Sequence, residues 1–357
     1  MRAGWIDDDA RLRALAPAWA ALCDRAPGCA PFARPEWLLP WRDVFGGDRP
    51  LRVLTVEDSG ALVALLPCVE LTGDGGPALA LMGGDVSDHH DAPVAGDRVA
   101  AGAAMARALA AGDWASVTFD RLREDGWLRG LARELFGAGT RVEEAPDEPP
   151  CPTLVAGPEV GALADLLPDG FGYRLGRARR KAERDGGLVV RLATSVEEAL
   201  VLFDALSAFH AARWQARGEP GVLGQADVQR FHRQVIPGMQ RAGVLRMFAL
   251  ELAGALAGVV YSFSTQGRLS FYLSGFDRAR ESASPGVLAI AGAIEHELSA
   301  GVRVFDFLRG REAYKYRFGA RDAACYTVRV ERPREASGAA APAGRQSDAG
   351  ASSSCRV

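Results

Sequence analysis

Three side chains with acid–base chemistry lie close together near the carboxyl end of this 357-residue chain: Asp306, Tyr314 and Lys315. A carboxylate or a phenol can act as a catalytic acid or base, and an ammonium can hold a substrate carboxylate or phosphate. Each side chain also has an ordinary structural explanation that the sequence leaves open. Asp306 could pair with Arg309 or Arg311. Tyr314 could be a core aromatic, and Lys315 could be a solvated charge.

Lysine is rare in this sequence. Of its 42 Lys and Arg residues, all except Lys181 and Lys315 are arginines. Lysine and arginine differ in pKa range and in hydrogen-bond geometry. A lysine that remains in such an arginine-rich chain is therefore expected where arginine cannot do the same work.

An anion-binding element is predicted where a strand over about 269–275 leads into a helix. Ser284, Pro285 and Gly286 have the residue types of a helix cap and first turn. A helix N-terminus offers free N–H groups and a partial positive charge, which suit a phosphate, and Arg280 would add a charge-assisted bond. A capped helix with solvated arginines is the alternative.

His210, Arg213 and Trp214 share one face of a predicted helix over about 195–217, at positions i, i+3 and i+4. They could line an acceptor cleft, with His210 as a base and Arg213 as an anchor for an anion. They could equally fix the helix in place, through a buried Trp and an Arg whose stem packs on apolar surface.

Asp88, His89, His90 and Asp91 form a dense titratable loop in the first half of the chain. A share in substrate binding is expected for Asp88, His89 and Asp91, with a solvated loop as the alternative. Adjacent histidines do not easily bind one ion together, and no further ligand is spaced for it. The six cysteines form no C-x-x-C pair, so we interpret them as reduced thiols and predict no metal site.

The elements that must position these residues occur twice. Residues 51–65 and 245–259 read as matching hairpins that share Leu, Arg, Glu, Gly, Ala and Leu at one constant offset. A strand, a loop, an Ala-rich helix and a further strand follow each hairpin. This order predicts an α/β fold with an α+β mixed sheet in each of two tandem units.

Composition and boundaries complete the outline. A proline-rich stretch separates a first unit over 1–150 from a second over 151–332, and residues 333–357 have the composition of a disordered tail. The net charge of −3 gives no bulk footprint for nucleic acid. No apolar run reaches the roughly 18 residues of a membrane helix. The acidic start of the chain argues against a secretion signal, so a cytoplasmic location is expected.

The motifs of the chain resemble those of the GNAT acyltransferase superfamily, in its CelD-like branch related to the FemAB-type tandem GNAT proteins. The resemblance covers about residues 30–330. Its C-terminal run is fairly specific, and its N-terminal matches are loose. The matching segments are Pro35-Glu-Trp37, Ser87-Asp-His-His-Asp91, His210 with Arg213 and Trp214, Phe276-Asp277, Ser284-Pro285-Gly286, Phe305-Asp306-Phe307-Leu308-Arg309-Gly310 and Tyr314-Lys315.

This resemblance implies two GNAT-like units, of which the second binds the donor and carries catalysis while the first lies on the acceptor side. The pantetheine of the donor would lie between two splayed parallel strands, about 269–275 and 303–307, beside Ser274 and Gly275. The family's usual phosphate loop reads Arg/Gln-x-x-Gly-x-Gly/Ala. This chain has Arg280-Glu-Ser-Ala-Ser-Pro-Gly286 instead, which leaves the identity of the donor open.

The first unit is expected to have no donor site of its own. Where the second unit has its phosphate loop, the first has the loop from Asp88 to Asp91. The two carboxylates of that loop would repel phosphate groups.

The implied activity is transfer of an acyl group from an acyl-CoA, most simply acetyl-CoA, to an amine of a small molecule, sugar or peptide. Arg309 joins the substrate-binding residues. The attack would be direct, because no G-x-S-x-G motif suggests a covalent enzyme intermediate. No metal is implied.

Two alternatives stay open. The donor could be an aminoacyl-tRNA or the thioester of an acyl carrier protein, recognised by the stretch from Arg174 to Arg191, which holds seven basic and two acidic residues. A solvated helix is the structural explanation of that stretch. The protein could also be a non-catalytic member of the fold in an envelope-polysaccharide or biosynthetic pathway, because fold alone does not prove activity.

Overall fold

A computed structural model describes most of the chain up to residue 332, with gaps at 74–75, 135–139, 216–217 and 220. The predicted disordered tail, residues 333–357, lies outside the described residues. Within them the chain forms two mixed sheets of seven strands each. In chain order the strands are β1 (Arg2–Ile6), β2 (Leu51–Asp58), β3 (Ala61–Gly73), β4 (Gly76–Leu81), β5 (Ser116–Arg123), β6 (Arg141–Pro146), β7 (Cys151–Val155), β8 (Leu188–Leu192), β9 (Leu245–Leu252), β10 (Ala255–Thr265), β11 (Arg268–Phe276), β12 (Val304–Asp306), β13 (Arg321–Ala323) and β14 (Cys325–Glu331).

Helices cover the sheets and connect their strands. In chain order they are α1 (Asp9–Ala14), α2 (Ala16–Arg25), α3 (Pro35–Phe45), α4 (Arg98–Ala111), α5 (Trp127–Glu134), α6 (Asp169–Arg184), α7 (Val196–Gln215), α8 (Ala226–Arg241), α9 (Pro285–Ser299) and α10 (Ala313–Arg317). The helices predicted over about 174–185 and 195–217 correspond to α6 and α7.

The two sheets share one strand order, which confirms the predicted mixed α/β fold of two tandem units. The order is β1-β2-β3-β4-β5-β14-β6 in the first sheet and β8-β9-β10-β11-β12-β7-β13 in the second. In the first sheet the antiparallel strands β2, β3 and β4 are followed by helix α4 and then by β5, which is parallel to β4. In the second sheet β9, β10 and β11 are followed by helix α9 and then by β12, which is parallel to β11. The matching hairpins turn in the same way, because Ser59-Gly60 and Ala253-Gly254 all have positive φ, as a two-residue type I′ turn requires.

The sixth strand of the first sheet comes from the other half of the chain, whereas the second sheet is built from β7 to β13 alone. β7 follows β6 of the first sheet but inserts between β12 and β13 of the second. β14 follows β13 of the second sheet but inserts between β5 and β6 of the first. The predicted second unit, 151–332, therefore ends with a strand that belongs to the first sheet. Its apolar pattern could not reveal this, because an alternating strand fits either sheet equally well.

The interface between the halves is part of the hydrophobic core. Helix α3 of the first half packs against α8 of the second. The fully buried Trp37 ring lies 4.9 Å from the Phe231 ring and 5.3 Å from the Tyr272 ring, both edge-on. Such pairs add stabilisation to the buried area itself. The two units are thus held in one arrangement by packed aromatic side chains.

The place of β14 in the first sheet predicts how a substitution in this strand will act. Val328 is fully buried in the core of the first sheet. Val328→Ala should lower the free energy of unfolding by about 2 kcal/mol, through lost burial and a residual cavity. Hydrogen exchange should accelerate in β5 and β6. Val155→Ala, at a valine of β7 with 64% exposure, is the control and should change little. Faster hydrogen exchange in β12 and β13 instead would contradict the place of β14 in the first sheet.

Candidate active site

A cleft opens in the second sheet because two parallel strands separate. β11 and β12 pair over three register positions, from Arg268 with Val304 to Ser270 with Asp306. Beyond that point the chain turns away from β11 and follows β7. The amides of Phe307 and Gly310 donate to the carbonyls of Pro152 and Pro150, at 2.9 and 3.1 Å. The splayed strands predicted around 269–275 and 303–307 are thus present in the structure.

The space in and above this cleft amounts to about 690 Å³, counted together with the solvent at its open mouth. Its walls combine aromatic side chains with titratable ones from both halves of the chain. Of the side chains singled out in the sequence, it collects Asp88, His210, Arg213, Trp214, Ser274, Arg309, Tyr314 and Lys315.

A strained turn keeps the cleft open. Leu308, directly after β12, has a φ of 56°, a left-handed conformation that is costly for a branched side chain. Two side chains fix its backbone from opposite sides. Its amide donates to Asp306 Oδ1 at 2.9 Å, and its carbonyl accepts from Lys315 Nζ at 3.0 Å. The turn is thereby held in a conformation that the local sequence would not adopt alone.

Lys315 is a positioning residue for this turn. Its side chain is 3% exposed, and its ammonium donates to three consecutive carbonyls, those of Leu308, Arg309 and Gly310. It also forms an ion pair with Glu312 at 2.8 Å. Three donors on a compact charge suit three converging carbonyls, which a planar guanidinium fork does not match. The ammonium is therefore engaged within the protein, rather than free to bind a substrate anion or exposed as a solvated charge.

Asp306 does not join Tyr314 and Lys315 in the cleft. Side chains alternate along a strand, so Asp306 points away from Phe307, which lines the cleft. The Asp306 carboxylate is 1% exposed and accepts from His89 Nε2 at 2.9 Å and Arg268 Nη1 at 3.1 Å. Burial would raise the pKa of Asp306, but His89 and Arg268 outweigh it and hold that pKa well below its usual value. The partner is thus Arg268, not Arg309 or Arg311.

Asp306 and His89 line a second cleft, which also borders Cys151, Cys325 and Arg268. Burial alone would lower the pKa of His89, but the Asp306 carboxylate raises it to about 9. The pair joins the two halves of the chain across the sheet junction. The side chain of His89 therefore faces a different cleft from that of Asp88, its neighbour in sequence.

Tyr314 faces the first cleft beside Phe307, with ring centroids 6.2 Å apart. Burial, aided by the charge of Glu312, raises the pKa of Tyr314. The phenol therefore stays protonated over the ordinary pH range. A phenol can give a proton to a group that leaves as an anion, and the raised pKa makes this one a weaker acid than an exposed tyrosine.

His210, Arg213 and Trp214 enter the cleft from α7, as their shared helical face predicted. His210 Nδ1 is buried and has no hydrogen-bond partner among the described residues. Burial, with the charge of Arg213, lowers the pKa of His210 to about 4. A neutral imidazole with a free ring nitrogen can accept a proton from a bound molecule.

The first half of the chain supplies one wall through the loop that holds Asp88. Trp37 Nε1 donates to Ser87 Oγ at 2.9 Å, and the Tyr272 hydroxyl donates to the Val86 carbonyl at 3.0 Å. These bonds place Asp88 3.5 Å from Arg309 inside the cleft. Burial raises the pKa of Asp88, and the charge of Arg309 opposes that rise.

Asp91 lies outside both clefts. Its carboxylate accepts from the amides of Trp127 and Leu128, at 3.3 and 3.0 Å, where α5 begins. A carboxylate at this place satisfies free N–H groups of the helix and favours its dipole. The structure thus gives Asp91 a capping contact in place of the expected contact with substrate.

The predicted anion-binding segment lies where α9 begins, after β11. Ser284 has a φ of 58°, and its carbonyl accepts from the amides of Val287 and Leu288. Arg280 lies 3.4 Å from Asp277. Pro285 occupies the first helical position, as expected. The loop is thus built by local bonds, which use the amides of Val287 and Leu288.

The two glycines of this region have packing roles. A Cβ on Gly275 would lie 2.9 Å from Leu206 and 3.1 Å from Phe209, so its absence lets β11 approach α7. A Cβ on Gly286 would lie 3.0 Å from the Phe276 ring. Both glycines therefore allow close packing beside the cleft.

The comparisons with known proteins agree with this architecture. Residues 171–316 match the family model described as an acetyltransferase (GNAT) domain. This segment is thus similar to a GNAT acetyltransferase domain. None of the curated proteins matches the chain in sequence.

Solved structures show that the similarity of fold extends beyond the GNAT domain. FemX shares 10% identity at a TM-score of 0.62, over 92% of this chain and 97% of that one. The C-terminal domain of a putative lysylphosphatidylglycerol synthetase from Agrobacterium fabrum shares 13% identity at a TM-score of 0.56, over 88% of this chain and 91% of that one. A protein of unknown function from Bacteroides thetaiotaomicron shares 9% identity at a TM-score of 0.58, over 92% of this chain and 99% of that one. The chain thus has the GNAT acyltransferase fold in two tandem units.

Several residues that line the two clefts were not identified from the sequence. Glu312 and Tyr272 line the first cleft, and Arg268 holds Asp306 in the second. Glu312 could have been noticed, because it lies three residues before Lys315 at the start of a short helix. Cys151 and Cys325 carry no spacing signal, since they are far apart in the chain. Among the described helices, none is long and apolar enough to cross a membrane.

Lys315 gives a test of the turn in the GNAT domain. Lys315→Arg should lower the free energy of unfolding by about 3 kcal/mol, because buried carbonyls lose their donors. Lys181→Arg is the matched control, at the other lysine, whose exposed ion pair with Asp185 should matter by less than about 1 kcal/mol. Urea unfolding measures both. A Lys315→Arg variant as stable as wild type would show that the three carbonyl contacts do not need lysine.

Proposed function

We propose that this protein is an N-acyltransferase that moves an acyl group from an acyl-CoA-type thioester to an amine acceptor by direct attack. The observation that carries the proposal is the separation of β11 and β12, with His210 and Tyr314 facing the cleft between them. A base and an acid on one cleft are what attack on a thioester requires.

The donor binds along the free edge of β11. Among the described residues no strand pairs with this edge beyond Ser270, so its backbone groups near Ser274 can pair with the amides of pantetheine. The pyrophosphate lies at the start of α9, near Ser284 and Gly286, where the positive end of the helix dipole and Arg280 favour an anion.

The acceptor amine lies between the donor and α7. Asp88 and Glu312 offer carboxylates to a cationic or hydroxyl-bearing acceptor, while Arg213 and Arg309 offer cations to an anionic part of it. Trp214 gives an apolar surface against which a ring or a chain can pack. Because these groups come from both halves, the acceptor site belongs to the whole chain.

The reaction proceeds through a tetrahedral intermediate. The amine nitrogen attacks the thioester carbon and forms the C–N bond, and His210 takes the proton that the nitrogen loses. Collapse of the intermediate breaks the C–S bond, and the leaving thiolate takes a proton from Tyr314. Solvent then returns the proton of His210 to Tyr314, so that the products are an amide and a free thiol.

One observation favours a second candidate donor, an aminoacyl-tRNA or the thioester of an acyl carrier protein. Helix α6 packs beside the turn Arg278–Ala283 that precedes α9. It exposes four arginines, which can contact a polyanionic donor: Arg174, Arg177, Arg180 and Arg184.

Calorimetric titration with coenzyme A and acetyl-CoA, at low and moderate salt, tests the donor. We expect micromolar binding that weakens at least about tenfold in Arg280→Ala, because a charge-assisted bond is lost. Arg230→Ala, at an exposed arginine of α8, is the control and should bind as wild type. Absence of binding to both molecules, together with steeply salt-dependent binding of aminoacyl-tRNA, would replace the acyl-CoA proposal with the second candidate.

The proposed base makes a prediction about pH. His210→Gln should lower kcat at least about 100-fold, while His296→Gln, at an exposed histidine of α9, should not. Only the neutral imidazole accepts a proton. Because the pKa of His210 is lowered to about 4, kcat/KM calculated on the neutral amine should fall only as the pH drops through about 4. A fall centred near the ordinary histidine pKa would remove His210 from this role.

The proposed acid makes a separate prediction. Tyr314→Phe should lower kcat at least about 100-fold with a poor thiol leaving group and less with an activated thioester, which needs no proton on leaving. Tyr316→Phe is the matched control, since its hydroxyl donates to Asp322 at 2.7 Å at the surface. Equal losses with both thioesters would contradict proton donation by Tyr314.

A further inference from the structure

Two cysteines lie at the junction of the two sheets, where β7 and β14 begin. Cys151 is the first residue of β7, and Cys325 is the first residue of β14. Their sulfur atoms are 3.7 Å apart, although 174 positions separate them in the chain. The Nδ1 atom of His89, from the loop of the first half, lies 3.4 Å from the Cys325 sulfur. All three side chains are buried.

The two distances from the Cys325 sulfur match the spacing of a tetrahedral zinc site. All three lie within 4.8 Å of one another. With Zn–S bonds of about 2.3 Å and a Zn–N bond of about 2.0 Å, a tetrahedron places two sulfurs about 3.8 Å apart and a sulfur and a nitrogen about 3.5 Å apart. The distances of 3.7 and 3.4 Å leave room for one ion between the three atoms.

The surroundings of His89 fit a metal ligand. Its Nε2 contacts the Asp306 carboxylate at 2.9 Å, which directs Nδ1 toward the Cys325 sulfur. A carboxylate behind a ligating histidine fixes the ring and strengthens the ligand in known metal sites. Arg268 holds the same carboxylate in place at 3.1 Å.

We propose that His89, Cys151 and Cys325 bind one divalent ion of the zinc class. On binding, the two thiols lose their protons to solvent and so does Nδ1 of His89, so that two thiolates balance the charge of the ion and a neutral imidazole completes the set. The second cleft borders all three ligands, so its solvent can reach the fourth coordination position. The site joins β7, β14 and the loop of the first half, and it is independent of the proposed acyl transfer. The spacing of the cysteines in the sequence could not predict it.

Cobalt binding to the full chain tests the site. After treatment with a reductant and a chelator, wild type should take up one equivalent of Co²⁺ with thiolate-to-cobalt charge-transfer absorption. Cys151→Ser and Cys325→Ser should each weaken Zn²⁺ binding by more than about 100-fold, measured by competition with a chelating dye. Substituting a residue that only supports a ligand costs up to roughly 100-fold, so a larger loss indicates a ligand itself. Cys29→Ser is the control, because Cys29 is buried elsewhere and is not part of the cluster.

A second measurement does not depend on variants that fold. Zn²⁺ should protect Cys151 and Cys325 of wild type from alkylation, detected by peptide mass spectrometry, and leave Cys29 and Cys68 unchanged. Absence of the charge-transfer band, or a band that survives in both serine variants, would overturn the proposal. So would a Cys151–Cys325 disulfide that forms readily in air while the reduced protein shows no affinity for Zn²⁺.

Discussion

The Asp306 carboxylate is a buried charge on which the shape of the cleft depends. A carboxylate in the interior is costly unless each oxygen is bonded and a cation lies nearby. Here one oxygen accepts from His89 and Arg268, and the other accepts the amide of Leu308. These three donors belong to the first half of the chain, the start of β11 and the strained turn. One side chain therefore links the two units and sets the point at which β11 and β12 part.

From that point the roles of the two halves are unequal. The second half supplies the free edge of β11, the start of α9 and the helix that carries His210. The first half supplies a wall, held by Trp37 and Tyr272, and presents Asp88 to the cleft. One copy of the duplicated fold thus presents an open strand edge, along which we propose that the donor binds, while the other copy shapes the space beside it.

Much of this arrangement could be predicted from the sequence, because it depends on local patterns. The repeated hairpins gave the shared strand order, and the spacing of His210, Arg213 and Trp214 placed them on one side of α7. The direction of Asp306 and the return of β14 to the first sheet depend on contacts between distant residues, which no local pattern encodes. Lys315 lies between these cases. Its rarity indicated a special role, but only the three carbonyls around its ammonium show that the role is structural.

The return of β14 to the first sheet also governs the order in which the two sheets can form. When β5 and β6 leave the ribosome, the strand that belongs between them lies nearly at the end of the described chain. Their facing edges stay unpaired through the synthesis of the whole second sheet, and unpaired edges attract other strands. The first sheet to be translated is therefore the last to close, and such long-range pairing is slow. A nascent chain of this design depends on its environment to keep that edge covered until residue 331 arrives.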